Sequence, residues 1–376
     1  MIKFGMWSTI LLIGSLHGLV VAVLLLNAAR NRIANRFLAA LLFATVLMIT
    51  PYTIGYAGFY DAHPWLTFAP FYWQLLFGPL MYFHVRQLGS EHLPSGWAWH
   101  LLPGAGQGAY YLALFCLPLQ AKWDWNERMH LPYALPAISI ATLLSLAIYW
   151  HLSLQRYRRY QHWLVNNSGL REELRLGWIV GFLYAIAVVV ALSIGFQVVD
   201  TWIRPLDYYG YFPFYVALTA LVYYLGIEGW RHAGLKLPAM PEAGEATAAD
   251  TPREDSRTSS EPRDWNGQAQ AWAAKVAEAG WWREPDLSLA DLARRLGTNT
   301  NYLSRALNDG LGQSFSEFVN RQRIAEAQRR LAGEGDVLDI ALAVGFGSKA
   351  SFNRAFLAYA GMTPSAWRQR HAGSKS

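Results

Sequence analysis

Only one of the 376 residues is cysteine, Cys116, and only 15% carry charge. A lone cysteine excludes an intrachain disulfide and any cluster of cysteine ligands, and its apolar neighbours mark it as a small packing residue. The shortage of charge says more, because soluble proteins average about 25% charged residues. It is also local. Residues 1–235 hold 14 Lys+Arg and 9 Asp+Glu, whereas residues 236–376 hold 18 and 17. Also missing are an HExxH pair, a glycine-rich phosphate loop, a catalytic dyad, and a Ser/Lys or Asp/Asp pattern for proteolysis within a membrane. No enzymatic activity, cofactor or metal site is therefore expected.

What fills the first 235 residues is apolar. Seven stretches are free, or nearly free, of charge: about Met6–Leu26, Phe37–Tyr56, Trp65–Phe83, Trp97–Leu119, Leu131–Leu152, Leu176–Val199 and Tyr208–Ile227. Each approaches the ~20 residues with which a helix crosses ~30 Å of hydrocarbon. The fourth is the least regular, thinned by Pro103, Gly104, Gly106 and Gly108. The first is too long for the core of a signal peptide, and its stronger positive flank follows it, so it reads as a membrane helix.

Orientation follows from Lys and Arg in the short loops. With the N-terminus outside, the inner loops 27–36, 84–96 and 153–175 carry nine, against four in the outer segments. An odd number of spans then leaves everything after residue 228 in the cytoplasm. Among polar groups within spans, His17 and Gln74 are the candidates for sensing a signal, since an ionisable or amide group in lipid needs a partner. A helix–helix hydrogen bond is the simpler role for either. His84, His92 and His100 lie in or beside one inner loop without metal-ligand spacing. The aromatic runs FYWQLLFGPLMYF and DYYGYFPFY read as interfacial belts, or as the lining of a pocket for an apolar ligand.

From Lys236 to Arg263 the text turns to KLPAMPEAGEATAADTPREDSRTSSEPR, a disordered-linker composition with an r.m.s. reach of roughly 30 Å. Such a tether is too slack to carry a piston or rotation from the seventh span.

Beyond it, Leu292–Gly297 (LARRLG) is repeated 48 residues later by Ile340–Gly345 (IALAVG), and past one inserted residue the offset becomes 49. At the new offset Leu303 pairs with Phe352, Arg305 with Arg354, Gly312 with Gly361, and Phe318 with Trp367. Each unit reads as a helix, a glycine turn and a second helix with one apolar and one polar face. Ser288 with Asp291 caps the first unit. On its second helix Leu303, Ala306 and Leu307 face inward, and Asn301, Ser304 and Arg305 face out. In the second unit Phe352, Ala355, Phe356 and Tyr359 share one arc, and Lys349, Ala350, Asn353 and Arg354 the other. Between the units, SFSEFVNRQRIAEAQRRLAGEG is a long helix with a Ser314/Glu317 capping box and a glycine stop. It can hold two reading helices about 34 Å apart, the spacing of successive major grooves. Arg321, Arg323, Arg329 and Arg330 on this helix face phosphate or, for most of them, solvent.

Residues 287–371 resemble the DNA-binding domain of AraC/XylS-family transcription regulators. The likeness is carried by LSLADLARRLGTNTNYLSRALND, SFSEFVNRQRIAEAQRRL and DIALAVGFGSKASFNRAFLAYAGMTPSAWRQR. The run WWREPDLSLADLA is similar to the branch of that family with multi-span membrane domains. The resemblance implies a bacterial, bipartite reader with one recognition helix per unit. The positions it turns toward DNA are Asn301, Ser304 and Arg305, then Lys349, Ala350, Asn353 and Arg354. Arg305 and Arg354 are the candidates for bidentate contacts to guanine. Ala350 departs from the long polar side chains common at its position, and meets a thymine methyl or reads no base.

The expected fold is all-α. A seven-helix transmembrane bundle (1–235) is followed by a linker (236–263) and a cytoplasmic all-helical domain (264–376). Its helix-turn-helix units fall at about 288–309 and 337–359. The expected partners are double-stranded DNA, the lipid bilayer of the inner membrane, RNA polymerase, a second copy of the chain, and an unidentified small-molecule or membrane signal. A transporter or membrane enzyme with a DNA-binding reporter is the alternative reading.

Overall fold

The computed structural model describes residues 2–88, 90, 92–169, 177–235, 237–238, 240, 264–333 and 335–372. The linker expected at 236–263 falls almost wholly outside them. Among the described residues there is no strand, and a single antiparallel bridge pairs Ser168 with Ser288. Contacts divide the chain into two compact units, Met1–Tyr157 with Leu176–Ala239, and Arg158–Arg175 with Met240–Ser376.

The long elements of the first unit are α1 (Met6–Leu26), α2 (Arg32–Tyr56), α3 (Phe77–Gln87), α4 (Leu102–Phe115), α5 (Leu135–Asn167), α6 (Gly177–Val198) and α7 (Phe212–His232). Five helices are long and apolar enough to cross a membrane: Met6–Leu26, Arg32–Tyr56, Leu119–Asn167, Gly177–Ile203 and Phe212–His232. They cover five of the seven expected spans. At the other two stretches the described residues form only shorter helical pieces. Residues 67–73 are not helical, because Pro70 lacks an N–H and restrains its predecessor. Regular helix there resumes only with the 3₁₀ turn Gln74–Leu76 and the 11-residue α3. The fourth stretch is a 3₁₀ turn, Trp97–Leu101, running into the 14-residue α4. At 1.5 Å per residue, α4 spans roughly 21 Å, short of ~30 Å of hydrocarbon.

The fifth stretch departs in the other direction. Leu119–Asn167 winds without interruption for 49 residues, with a π-helical section at Asn126–Ala134. At 1.5 Å rise it measures roughly 70 Å, about twice what a bilayer needs. Its last turns, from Arg158, belong to the second unit.

Close packing in the first unit depends on two glycines of α1. A Cβ on Gly14 would overlap the Thr219 side chain of α7, and one on Gly18 would lie 2.6 Å from Val222 and 2.8 Å from Val46 of α2. Gly14-Ser-Leu-His-Gly18 is thus a small-xxx-small stripe that lets α1 lie against both α2 and α7. Gly18→Leu is expected to destabilise this unit by roughly 1–3 kcal/mol through overpacking. Thermal unfolding of the detergent-solubilised chain measures it, and an unchanged midpoint contradicts the packing.

In the second unit α8 (Trp265–Ala279), α9 (Leu289–Arg295), α10 (Thr300–Arg305), α11 (Phe315–Leu331), α12 (Val337–Ala343), α13 (Lys349–Ala360) and α14 (Pro364–Ala372) surround one core. Helix α11 is its axis and contacts α12, α13 and α14. Phe315, Phe318, Val319, Ile324, Ala327 and Leu331 form its buried stripe.

Candidate nucleic-acid interface

Helix α9 starts at Ser288, whose Oγ accepts from the Asp291 N–H at 3.1 Å and donates to Asp291 Oδ2 at 2.6 Å. That bond, then Arg294, holds the Asp291 carboxyl below its usual range. Paired hydrogen bonds from Arg295 at 2.7 Å do the same for Glu284. The helix ends in a turn through Gly297 (φ 67°), in which Gly297 N–H donates to Arg294 O at 3.2 Å and Thr298 N–H to Ala293 O at 2.9 Å. Asn299 then caps α10, its Oδ1 accepting from Tyr302 N–H at 2.8 Å.

The second unit repeats these bonds. Gly345 has φ 92°, its N–H donates to Leu342 O, and Phe346 N–H donates to Ala341 O, both at 3.0 Å. Both bonds sit 48 residues after their counterparts. The cap of α13 is Ser348, 49 residues after Asn299, so the inserted residue is Gly347 in the turn itself. Gly361 (φ 72°) closes α13, as Gly312 (φ 65°) follows the first reader. The two turns therefore aim two helices by the same hydrogen bonding.

Leu303, Ala306 and Leu307 are buried beneath α10, and Phe352, Ala355 and Phe356 beneath α13. Asn301, Arg305, Lys349, Ala350, Asn353 and Arg354 are exposed, and Ser304 is half-buried. The outward sets expected from the sequence are thus brought to the surface of one unit. Asn308 Nδ2 donates to Ser304 Oγ at 3.2 Å. The Arg305 guanidinium lies 3.9 Å from Asp309 and 5.7 Å from the Trp265 ring of α8. Its side chain stays 69% exposed, so these weak contacts steer it without consuming its donors. The readers differ in winding. Helix α13 is α-helical throughout, whereas α10 passes into a π-helical turn at Ala306–Gly310. That turn packs on α8, with Gly310 against the Trp265 carbonyl so closely that no Cβ would fit.

The arginines of α11 separate by role. Arg321 is exposed, and Arg330 bonds Glu326 at 2.9 Å, as does its neighbour Arg329. Arg323 faces neither phosphate nor solvent: it is 0% exposed. Its Nε donates to Trp282 O (2.8 Å), Nη1 to Gly169 O (3.1 Å), and Nη2 to Glu284 O (2.7 Å) and Pro285 O (3.4 Å). Sequence periodicity missed this, because the acceptors are main-chain carbonyls of two distant segments. Gly169 N–H also donates to Leu287 O at 3.2 Å, beside the Ser288 cap.

The two sensing candidates lie in the other unit. His17 stacks on Tyr223 at 4.2 Å, and its Nε2 is buried without a partner among the described residues. Gln74 Oε1 accepts from Gln107 Nε2, and Gln74 lines a cavity. His84 Nδ1 meets Ala34 O at 2.9 Å and His100 Nδ1 meets Tyr149 OH at 2.7 Å, each in its own pairing.

Comparison with known proteins fits this geometry. Residues 292–370 match the model of a family described as a helix-turn-helix domain. The region is an AraC-type helix-turn-helix domain, a DNA-binding module of transcription regulators. It is 38% identical over 88 residues to the HTH-type transcriptional activator AarP of Providencia stuartii, covering 23% of this chain and 65% of that one. It is also 38% identical over 84 residues to an uncharacterized HTH-type transcriptional regulator of Staphylococcus aureus (strain MSSA476), covering 22% of this chain and 11% of the relative. The chain thus spans less than two thirds of the length of these curated relatives. A solved structure, the C-terminal domain of AraT, a response regulator from Geobacillus stearothermophilus, aligns at 26% identity over 27% of this chain and 84% of that chain, with a TM-score of 0.26.

Arg323→Leu is expected to cost the DNA-binding unit roughly 3–5 kcal/mol by stripping buried carbonyls of their donor. Arg323→Lys is expected to recover only part, since one ammonium cannot span acceptors placed for a planar fork. Pulse proteolysis of the full chain in urea measures both, and a loss below about 1 kcal/mol for Arg323→Leu contradicts the assigned role.

Proposed function

We propose that the chain is a membrane-anchored, sequence-specific transcription regulator. In this reading the N-terminus lies outside the inner membrane and the double helix-turn-helix reads DNA in the cytoplasm. The observation that carries it is the pair of matched turns, Thr298 N–H to Ala293 O and Phe346 N–H to Ala341 O, which present Arg305 and Arg354 at equivalent places. The guanidinium fork matches guanine O6 and N7, and Asn301 and Asn353 supply the amides that suit adenine. Lys349, in the first turn of α13, is placed for phosphate.

The membrane assignment is supported by five long apolar helices and by the excess of Lys and Arg in the inner loops. The sensing role is supported by the Leu119–Asn167 helix, which is a second covalent route besides the linker. Its C-terminal end leads directly to Ser168 and Gly169, which pair with the residues opening α9.

Genome-wide occupancy of the wild type and the Arg305→Ala/Arg354→Ala double variant tests the proposal. Two lost bidentate contacts at roughly 1–3 kcal/mol each predict a fall in specific affinity of at least about 30-fold, enough to erase specific peaks. Unchanged peaks would overturn the assignment of these arginines.

A further inference from the structure

The first unit holds a half-open cavity of about 1030 Å³ lined mainly by α2, α5, α6 and α7. Its walls are of two kinds. One part is aliphatic, with Leu135, Leu143, Ile186, Val190, Leu218 and Leu225. The other is a crown of seven tyrosines that includes Tyr52, Tyr72, Tyr208, Tyr211 and Tyr215. The aromatic runs of the sequence thus turn partly inward. Tyr52 stacks on Tyr215 at 3.5 Å and on Tyr208 at 4.8 Å.

The charge of the lining is one-sided. Among the described residues Asp200 is its single carboxylate, and no lysine or arginine reaches it. Asp200 is held in place, with Oδ1 accepting from Leu206 N–H at 2.7 Å and Oδ2 from Tyr211 OH at 2.9 Å. One bond to each oxygen leaves further acceptor capacity on both. Among the described residues two other polar groups of the lining are unspent: Thr142 Oγ1 is buried without a partner, and no hydrogen bond engages the Tyr72 hydroxyl. His130 is already paired with Tyr110 OH at 2.9 Å.

We propose that this cavity binds a cationic amphiphile, an alkyl amine or quaternary ammonium compound. The head would sit at Asp200 within the tyrosine crown, and the chain along the aliphatic wall. An anionic head would be desolvated beside a carboxylate with no counter-cation, whereas a cation gains from the carboxylate, the tyrosine oxygens and the ring faces. The size suits a drug-sized molecule. That this ligand is the regulatory signal rests on the function proposed above; its binding does not.

The test uses the full chain in nanodiscs, with saturable binding read by tryptophan fluorescence for three probes of equal chain length. These are dodecyltrimethylammonium, dodecanol and dodecanoate. The cation is expected to bind at least about 10-fold more tightly than either other probe. Asp200→Asn should reduce that preference to near unity while leaving dodecanol unchanged, and Asp200→Glu should retain it. Dodecanoate or dodecanol binding as tightly as the cation overturns the proposal, as does an Asp200→Asn variant with full cation preference. Operator occupancy measured in the same samples separates the two readings. Cation binding without any change in occupancy leaves the site standing and refutes the sensor. Loss of the cation preference leaves the Arg305/Arg354 result untouched.

Discussion

One buried guanidinium holds the DNA-binding unit in register. Arg323 sits at the middle of α11 with no exposure, and a charge so placed is tolerable only when its donors are met. They are met by carbonyls of the segment Trp282–Pro285, which leads into the first helix-turn-helix, and by Gly169 at the end of the long helix. The same guanidinium lies 5.4 Å from the ring of Phe346 in the second turn, and its Nε is 3.1 Å from where a Cβ on Gly345 would stand. The segment that leads into the first unit, the second turn and the spacer helix therefore share one fixed point. The positive φ of Gly345 and the close approach of the Arg283 carbonyl admit only glycine there.

Around that point the two readers are alike in aim and unlike in detail. The insertion falls at Gly347, in the turn, so the extra residue is absorbed before the Ser348 cap and leaves the reading face of α13 in phase. The first reader differs in winding: its helix widens to a π turn at Ala306–Gly310 where it meets α8. Ala350 and Lys349 give the second face a small apolar spot beside a cation, whereas the first offers Asn301 and Ser304. Unequal faces suit an operator with two unlike halves.

Local physics made much of this legible in the sequence. The capping pairs at Ser288 and Ser314, the 48-to-49 offset, and the inward sets at Leu303–Leu307 and Phe352–Phe356 follow from helix periodicity and capping, and the structure has them. What stayed hidden depends on distant partners. Arg323 occupies a position that periodicity assigns to a polar surface, and only carbonyls from Trp282 and Gly169 make it a core residue. The close packing of α1 on α7 through Gly14 and Gly18 could not be seen without Thr219 and Val222. Composition found the apolar stretches at 65–83 and 97–119, but Pro70 and the short α4 keep them from being single long helices. For the aromatic run DYYGYFPFY the sequence left a belt and a pocket lining open, and the fold turns Tyr208 and Tyr215 inward.

We propose that two helices, fixed to one spacer, read two major-groove segments together. Footprinting of the full chain in a bilayer on an operator recovered by occupancy tests it directly. Two protected segments about 10–10.5 base pairs apart, centre to centre, are predicted. A 5-base-pair insertion between them should weaken binding at least about 30-fold by turning one half-site to the far side of the duplex. Affinity unchanged by that insertion would contradict the account.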